Sequence, residues 1–145
     1  MLARIASLSL AKFPLHLQRE ISANPKNYEA FKTDGIFKFN AVPLDDDARS
    51  GYSHTAILAR ALKSELVEPK FHCLRAQNRV KYSGQSLEFR LKHKRNFKIL
   101  TPPQFPVILV DDIITSGLSM LQARESLIDG GFMPVCGLVL ANAKE

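Results

Sequence analysis

Val107-Ile108-Leu109-Val110-Asp111-Asp112-Ile113-Ile114-Thr115-Ser116-Gly117 is the stretch that decides the fold of this 145-residue chain. Four apolar, β-favouring residues lead into two adjacent carboxylates and then into a hydroxyl-rich turn that ends on glycine. Residues 118–129 follow with a helical pattern, in which Leu121, Leu127 and Ile128 are predicted to share the apolar face. The order is a buried strand, a polar loop and a helix. Ligands of open α/β sheets bind where strand C-termini meet helix N-termini, so we expect a ligand site here.

The loop offers chemical groups that suit a phosphate. A strand-to-helix turn presents unpaired backbone N–H groups and the positive end of a helix dipole. Thr115, Ser116 and Ser119 add hydroxyl donors, and Gly117 lets the backbone approach a ligand closely. The two acids are acceptors at the rim, suited to sugar hydroxyls or to a hydrated Mg²⁺. The alternative is a purely structural turn, in which the second acid only caps the following helix.

The stretch resembles the signature with which type I phosphoribosyltransferases bind phosphoribosyl pyrophosphate (PRPP). That signature is an apolar strand, two acids, two variable residues, Thr-Ser/Thr-Gly and a small hydroxyl residue, and every position is filled here. The resemblance implies that Asp111 and Asp112 hold the ribose 2′- and 3′-hydroxyls at the catalytic centre. It implies a 5′-phosphate site made of Ile113, Ile114, Thr115, Ser116, Gly117 and Ser119. Mg²⁺ would then be carried by PRPP, without a direct protein ligand.

Length and composition predict a single domain over residues 1–145. The formal net charge is +6 and the isoelectric point is near 9.5, which favours anionic partners such as nucleic acid, PRPP or pyrophosphate without locating a site. Cys73 and Cys136 lie far apart among apolar neighbours, which predicts reduced, buried thiols. No apolar run is long enough to span a bilayer, and residues 1–11 do not form a signal peptide. We therefore expect a cytoplasmic protein.

Outside the central stretch, predicted strands alternate with predicted helices. This alternation indicates an α/β fold with a mostly parallel sheet flanked by helices. Strands are predicted at 35–44, 70–74 and 134–141, after a helical packing segment at 1–34. A helix capped by Ser53 is predicted to bury Ile57, Leu58, Ala61, Leu62 and Leu66. Gly130-Gly131 is predicted to end the helix that follows the central loop.

Three further stretches resemble one branch of the type I phosphoribosyltransferases, the ComF/ComFC competence proteins. They are Val42-Pro43-Leu44 with Ser50-Gly51-Tyr52-Ser53-His54 and the helix behind it, then Gln85-Ser86-Leu87, and finally Gly137-Leu138-Val139-Leu140-Ala141. The resemblance covers residues 36–143, with Tyr82 in place of the family threonine. Family members usually begin with a four-cysteine zinc ribbon, which this sequence does not contain. We expect that the ribbon was truncated or lost in this lineage.

The loop after the first strand is predicted to face the pyrophosphate of PRPP. Its candidate contacts are Asp45, Arg49 and Gly51. Asp45 opens a run of three acids, where relatives of the family are often basic. Three carboxylates repel a bare pyrophosphate but tolerate one bridged by Mg²⁺. A solvated turn explains the acidic run equally well.

Residues 76–96 form a basic insertion with interleaved aromatic residues. Its candidate nucleic-acid contacts are Arg79, Lys81, Arg90, Lys92, Lys94 and Arg95. Cations beside aromatic rings suit single-stranded nucleic acid, because phosphates pair with Lys and Arg while bases stack on rings. The equivalent region of type I phosphoribosyltransferases is the flexible loop and hood over PRPP. For any single lysine, a solvated surface position is the simpler interpretation.

These observations leave three functions open. The ComF resemblance implies a PRPP-binding, phosphoribosyltransferase-like protein that acts in natural transformation. Such a protein would handle incoming single-stranded DNA in the cytoplasm, with partners in the DNA-uptake machinery at the inner membrane. The alternative is an active phosphoribosyltransferase that transfers the sugar to an unknown base or amine and releases pyrophosphate. The third is a regulatory domain that senses PRPP without chemistry.

Overall fold

Strands and helices alternate along the chain in the computed structural model, which describes residues 38–44, 53–78 and 84–143. The elements in these ranges are β1 (Phe39–Pro43), α1 (His54–Ala61), β2 (Val67–Pro69), β3 (Leu74–Ala76), α2 (Leu87–Lys92), β4 (Phe97–Ile99), β5 (Val107–Ile114), α3 (Leu118–Asp129) and β6 (Pro134–Asn142). The predicted helical segment at residues 1–34 lies outside the described residues. Within the described residues, no helix is long and apolar enough to cross a membrane.

The main sheet has four strands in the order β2-β1-β5-β6, and every neighbouring pair is parallel. A second sheet pairs β3 with β4 in antiparallel orientation. The central strands β1 and β5 are neighbours in space although α1, the small sheet and α2 separate them in sequence. The predicted α/β fold, with a mostly parallel sheet flanked by helices, is confirmed.

The core lies on both faces of the main sheet, because successive strand residues point to opposite sides. One cluster joins Phe39 and Ala41 of β1 to Leu58 of α1. The other joins Val42 of β1 to Leu127 of α3 and to the small antiparallel sheet. Helix α1 therefore covers one face and α3 the other. The nearly uninterrupted apolar runs of β1 and β5 follow from this double burial.

Asn40 is a polar residue inside this core, only 1% exposed. Its Oδ1 accepts hydrogen bonds from the backbone N–H groups of Gln104 (2.8 Å) and Phe105 (2.9 Å). Its Nδ2 donates to the backbone carbonyl of Glu68 at 3.3 Å. The side chain thus joins β1 to β2 and to the segment that leads into β5. A buried polar group with three partners loses little on leaving water.

Helix α1 begins as the sequence predicts but buries a narrower face. Ser53 is the N-cap, and its Oγ accepts a hydrogen bond from the backbone N–H of Ala56 at 3.2 Å. Leu58 and Leu62 are buried, whereas Ile57 is 41% exposed, so its predicted burial is wrong. Leu66 packs against the core from beyond the end of the helix. Helix α1 thus contacts the sheet along one stripe that contains Leu58, Ala59 and Leu62.

The strand predicted at residues 70–74 is wrong. The chain instead ends β2 at Pro69, turns, and starts β3 at Leu74. Lys70 donates its backbone N–H to the carbonyl of Ala41 at 2.9 Å, which completes the edge of the main sheet. His72 then adopts a left-handed backbone with φ 54°. Residues 70–74 therefore contribute to two sheets, Lys70 to the main sheet through its backbone N–H and Leu74 to the small sheet.

Helix α3 has the predicted bounds and a different buried face. Leu127 is buried, but Leu121 and Ile128 are 46% and 45% exposed, so the predicted shared face is wrong. Ala123 and Leu127 lie four residues apart and form the buried stripe, while adjacent helix residues point about 100° apart. The predicted glycine end is confirmed. Gly131 has φ 82° and donates to the Ile128 carbonyl, and Phe132 donates to the Leu127 carbonyl, which is a Schellman arrangement.

The two cysteine side chains lie in different surroundings. Cys73 is buried in the core, whereas Cys136 on β6 is half-buried. Burial raises the pKa of the Cys136 thiol from 9.0 to about 11, so this thiol stays protonated at neutral pH. Of the two predicted burials, complete burial is confirmed only for Cys73.

Candidate ligand site at the end of the central strand

The acid pair lies inside strand β5 and not in the loop that follows it. The sequence predicted that the strand would end near Val110, but it continues to Ile114. The reason is the neighbouring strand β6, which pairs with β5 as far as Ile114 opposite Asn142. The carbonyl of Ile114 also accepts a hydrogen bond from the backbone N–H of Ala143 at 2.9 Å. Pairing with β6 holds both acids on a rigid element.

A cavity of about 330 Å³ opens where β5 meets α3. It is lined by residues of β5, of the loop, of the start of α3 and of two distant segments: Thr55, Arg95, Asp111, Asp112, Ile113, Ile114, Thr115, Ser116, Gly117, Leu118, Ser119 and Met120. Its volume lies at the small end of the range for ligand pockets. The cavity sits at the carboxyl end of the parallel strands, the edge at which α/β sheets bind ligands.

Each acid is oriented by the backbone that follows it. Asp111 accepts a hydrogen bond through Oδ1 from the backbone N–H of Asp112 at 2.9 Å. Asp112 accepts one through Oδ1 from the N–H of Ile113 at 2.8 Å. The N-cap of α3 is Gly117, and no side chain caps this helix end. The alternative that Asp112 caps the helix is therefore excluded.

Asp111 is protonated more readily than an ordinary aspartate. Burial is the largest cause, followed by a hydrogen bond with the Asp112 side chain, and together they raise its pKa from 3.8 to about 6. The negative charge of Asp112 acts in the same direction. The backbone N–H of Asp112 and the positive charge of Arg95 lower the pKa but do not cancel the rise. Asp111 is thus a carboxylate that ionises reluctantly, although a cation lies near it.

The loop between β5 and α3 combines backbone donors with hydroxyl groups. Gly117 has φ 75°, a left-handed conformation that residues with a Cβ rarely adopt. The first backbone N–H groups of α3 have no partner within the helix, as at every helix start. Thr115 and Ser116 are exposed, and Ser119 is half-buried at the first turn of α3. Together these groups offer several donors to an anion at the positive end of the helix.

A cation from the basic insertion contacts this loop directly. Arg90 of α2 donates through Nη1 to Thr115 Oγ1 at 3.0 Å and to Ser116 Oγ at 3.2 Å. Arg95 lines the cavity, and its backbone N–H donates to Gln122 Oε1 of α3 at 3.0 Å. Of the basic residues predicted to contact nucleic acid, Arg95 therefore lines the cavity and Arg90 contacts the loop that lines it.

The other predicted contacts divide into two groups. Lys92 and Lys94 are exposed and do not line the cavity, and Lys92 forms an ion pair with Glu88 at 3.2 Å. The remaining predicted residues lie outside the described ranges: Asp45, Arg49, Gly51, Arg79 and Lys81. Their roles stay predictions.

Sequence reasoning missed Thr55 at the cavity wall. Thr55 is buried at the start of α1, and its Oγ1 lies 3.1 Å from the Oγ of Ser53. Helix α1 follows β1, whose carboxyl end lies at the same sheet edge as that of β5. That shared edge was a usable signal, because both helix starts must then border one cleft.

The described residues contain no group of three or more His, Cys, Asp or Glu side chains that could hold a metal ion. Asp111 and Asp112 provide hard carboxylate oxygens at the cavity wall. Mg²⁺ commonly binds through one or two carboxylates while phosphates and waters complete its shell. The donor set therefore fits a Mg²⁺ ion that arrives on a polyphosphate ligand.

Comparison with known proteins gives structural neighbours and no sequence relative. A scan against protein-family models finds no match, and a search of curated proteins finds none either. The structure is similar to hypoxanthine phosphoribosyltransferase of Trypanosoma cruzi, with 14% identity over 99% of this chain and 76% of that chain, at a TM-score of 0.49. It is similar to a glutamic acid mutant made in an analysis of an invariant aspartic acid in HPRTs, with 14% identity, 99% and 79% coverage and a TM-score of 0.49. Likeness at this level assigns neither substrate nor activity.

Proposed function

We propose that this protein binds PRPP in the cavity at the end of β5, as a phosphoribosyltransferase-like protein. The main support for this proposal is that the acid pair, the Thr-Ser-Gly loop and the start of α3 all line one cavity. The acids supply acceptors for two ribose hydroxyls. The loop and the helix start supply donors for a terminal phosphate. The ribose hydroxyls and the phosphate lie on different parts of the ligand, and the signature predicts the acceptors and the donors in the same order along the chain.

The chain's own residues explain how such a site would hold its ligand. Asp111 and Asp112 sit on a paired strand, and backbone N–H groups orient both carboxylates. Little rearrangement is then needed for the ribose to bind, which limits the entropic cost of ordering. Mg²⁺, when bound with PRPP, supplies positive charge that offsets repulsion between the pyrophosphate and the two acids. Arg95 adds a fixed positive charge on the same cavity wall.

Calorimetric titration with PRPP, with and without Mg²⁺, tests this proposal. Wild-type protein is expected to bind PRPP in a Mg²⁺-dependent manner, and Asp112→Asn is expected to weaken binding at least tenfold because it removes a charged acceptor. Asp129→Asn is the matched control, since Asp129 is exposed at the far end of α3. Absence of wild-type binding, or equal binding by Asp112→Asn, would refute the proposal.

Catalysis by the same site is the first extension of the proposal. In phosphoribosyl transfer, the bond from C1 of PRPP to its pyrophosphate oxygen breaks, a bond from C1 to the acceptor nitrogen forms, and pyrophosphate leaves. Positioning and charge stabilisation supply most of the rate enhancement in such a reaction. Pyrophosphate release with a panel of nucleobases and amines tests this extension. Release no faster than that of Asp112→Asn would leave a binding or sensing role.

The biological role that we favour is natural transformation, on the ComF resemblance. In this role the protein handles incoming single-stranded DNA in the cytoplasm, beside the uptake machinery at the inner membrane. Two observations support a nucleic-acid surface formed by α2 and the residues just after it: Lys92 and Lys94 are exposed, and the rings of Phe89 and His93 stack with centroids 4.0 Å apart. Arg79 and Lys81 are predicted to extend this surface.

Fluorescence anisotropy with a labelled oligothymidine tests the nucleic-acid role. Binding is expected to weaken with rising salt, because phosphate contacts release counterions. The Lys92→Ala/Lys94→Ala double variant is expected to bind several-fold more weakly than the wild type, with a smaller salt dependence. The Lys63→Ala variant on the other side of the sheet is the control. Unchanged binding by the double variant would remove α2 from the DNA surface.

A further inference from the structure

Arg90 reaches from the basic insertion to the loop that follows β5. Its Nη1 donates to the hydroxyl oxygens of both Thr115 and Ser116, at 3.0 and 3.2 Å. Its Nε donates to the backbone carbonyl of Gln85 at 3.0 Å, just before α2 begins. These three bonds fix the guanidinium at both ends. A flexible side chain is thereby held in one orientation against two residues that line the cavity.

The partners of Arg90 at the loop are neutral and exposed, which is an unusual arrangement for a fixed cation. Among the described residues, no carboxylate forms an ion pair with it, whereas Lys92, two residues further along, pairs with Glu88 at 3.2 Å. Hydrogen bonds from a cation to exposed hydroxyls contribute little to folding, because water offers equivalent partners. The arrangement gains far more if an anion joins it, since charge-assisted hydrogen bonds are about twice as strong as neutral ones.

Arg90 orients the hydroxyl groups of Thr115 and Ser116 so that they can donate hydrogen bonds to an anion. A hydroxyl can accept a hydrogen bond and donate its own at the same time. Because Thr115 Oγ1 and Ser116 Oγ accept from Arg90, their O–H protons remain for donation to a ligand. The positive charge on the acceptor side polarises each O–H group and strengthens its donation. No hydrogen bond within the described residues uses Nη2 of Arg90, so this nitrogen can donate to a phosphate oxygen.

We propose that Arg90 is a specificity-determining residue, which selects a terminal phosphate dianion and orients the Thr115 and Ser116 hydroxyls toward it. The inference rests on the proposed function, because it assigns the phosphate subsite of the same PRPP cavity. It gives that subsite a side-chain cation in addition to the backbone donors at the start of α3. It also separates Arg90 from the nucleic-acid surface to which the sequence assigned it.

Titration with PRPP and with ribose 5-phosphate tests the inference in Arg90→Ala, Arg90→Lys and the control Arg124→Ala. Arg124 has the same charge and is exposed on α3 outside the cavity. We expect Arg90→Ala to weaken both ligands about 10- to 100-fold, the range of a lost charged hydrogen bond. The salt dependence of binding is expected to fall by about one charge. Arg90→Lys keeps the charge and the salt dependence, but it recovers only part of the affinity because lysine lacks the planar fork.

The outcomes separate this inference from the proposed function. If the wild type binds PRPP and Arg90→Ala binds both ligands as tightly as Arg124→Ala, the role of Arg90 is overturned and PRPP binding stands. If the wild type binds neither PRPP nor ribose 5-phosphate, both are overturned. Circular dichroism checks that Arg90→Ala is folded. Should it not fold, Arg90→Lys decides alone: affinity equal to that of the wild type for both ligands would overturn the role.

Discussion

Replacement of Asp111 by asparagine is expected to stabilise the folded protein at neutral pH. Burial and the neighbouring Asp112 raise the pKa of Asp111 from 3.8 to about 6, so the folded state resists its ionisation. A rise of this size corresponds to at most about 3 kcal/mol at pH 7.5. The carboxyl group keeps some contact with water, so we expect about 1 to 2 kcal/mol. Asparagine retains an oxygen that can accept the hydrogen bond from the Asp112 N–H.

The sign of this effect sets its pH dependence. A carboxyl group with a raised pKa in the folded state binds its proton more tightly there than in the unfolded chain. The stability that it contributes is complete below about pH 4 and is lost as the pH rises through about 6. The asparagine variant has no such loss. The two proteins should therefore be about equally stable near pH 4, and the variant should gain its full advantage above about pH 7.

Urea unfolding followed by circular dichroism measures this difference, since the chain has no tryptophan for fluorescence. Glu125→Gln on the exposed side of α3 is the control, because removal of a solvated charge typically changes stability by less than about 0.5 kcal/mol. The prediction is refuted if Asp111→Asn has no higher free energy of unfolding than the wild type at pH 7.5. An equal gain in the free energy of unfolding at pH 4 and at pH 7.5 would also contradict it. A confirmed gain would mean that the ligand site is maintained at a cost to stability.

Three further predictions concern the core and the loop. Leu127→Ala is expected to destabilise the fold by about 2 to 4 kcal/mol and Ile128→Ala by less than about 1, because only Leu127 is buried; equal effects in urea unfolding would contradict the observed helix face. Asn40→Ala is expected to cost about 2 kcal/mol in the same assay, since it leaves two backbone N–H groups without their acceptor inside the protein; a loss under about 1 kcal/mol would show that water replaces it. Gly117→Ala and Gly84→Ala both place a Cβ at φ 75°, and each should lower the free energy of unfolding by about 1 kcal/mol. Only Gly117→Ala should weaken PRPP binding in calorimetry. Equal PRPP affinities of the two variants would remove the loop from the site.

Local signals in the sequence were enough for the elements nearest to the site. The bounds of α3, its glycine end and the Ser53 cap depend on contacts within a few residues, which sequence spacing records directly. The segment from Val107 to Asp129 likewise shows a strand and then a helix, because its hydrophobic period changes along the segment. The strand predicted at residues 70–74 is wrong because a local pattern does not reveal which sheet a residue joins. The strand of the main sheet ends before this segment, and the strand of the small sheet begins at its last residue.

The sequence by itself determined the α/β class, the order of strand, acid pair, loop and helix, and the residue types offered to a ligand. Only the tertiary structure decided that Asp111 and Asp112 belong to the strand, because β6 pairs alongside them. Only it placed Thr55 on the cavity wall and the Arg90 guanidinium on the Thr115 and Ser116 hydroxyls. The raised pKa of Asp111 is also a tertiary property, since it follows from burial and from charges brought close by folding. Contacts between residues 25 positions apart depend on how the whole chain returns on itself, and local periodicity carries no record of that path.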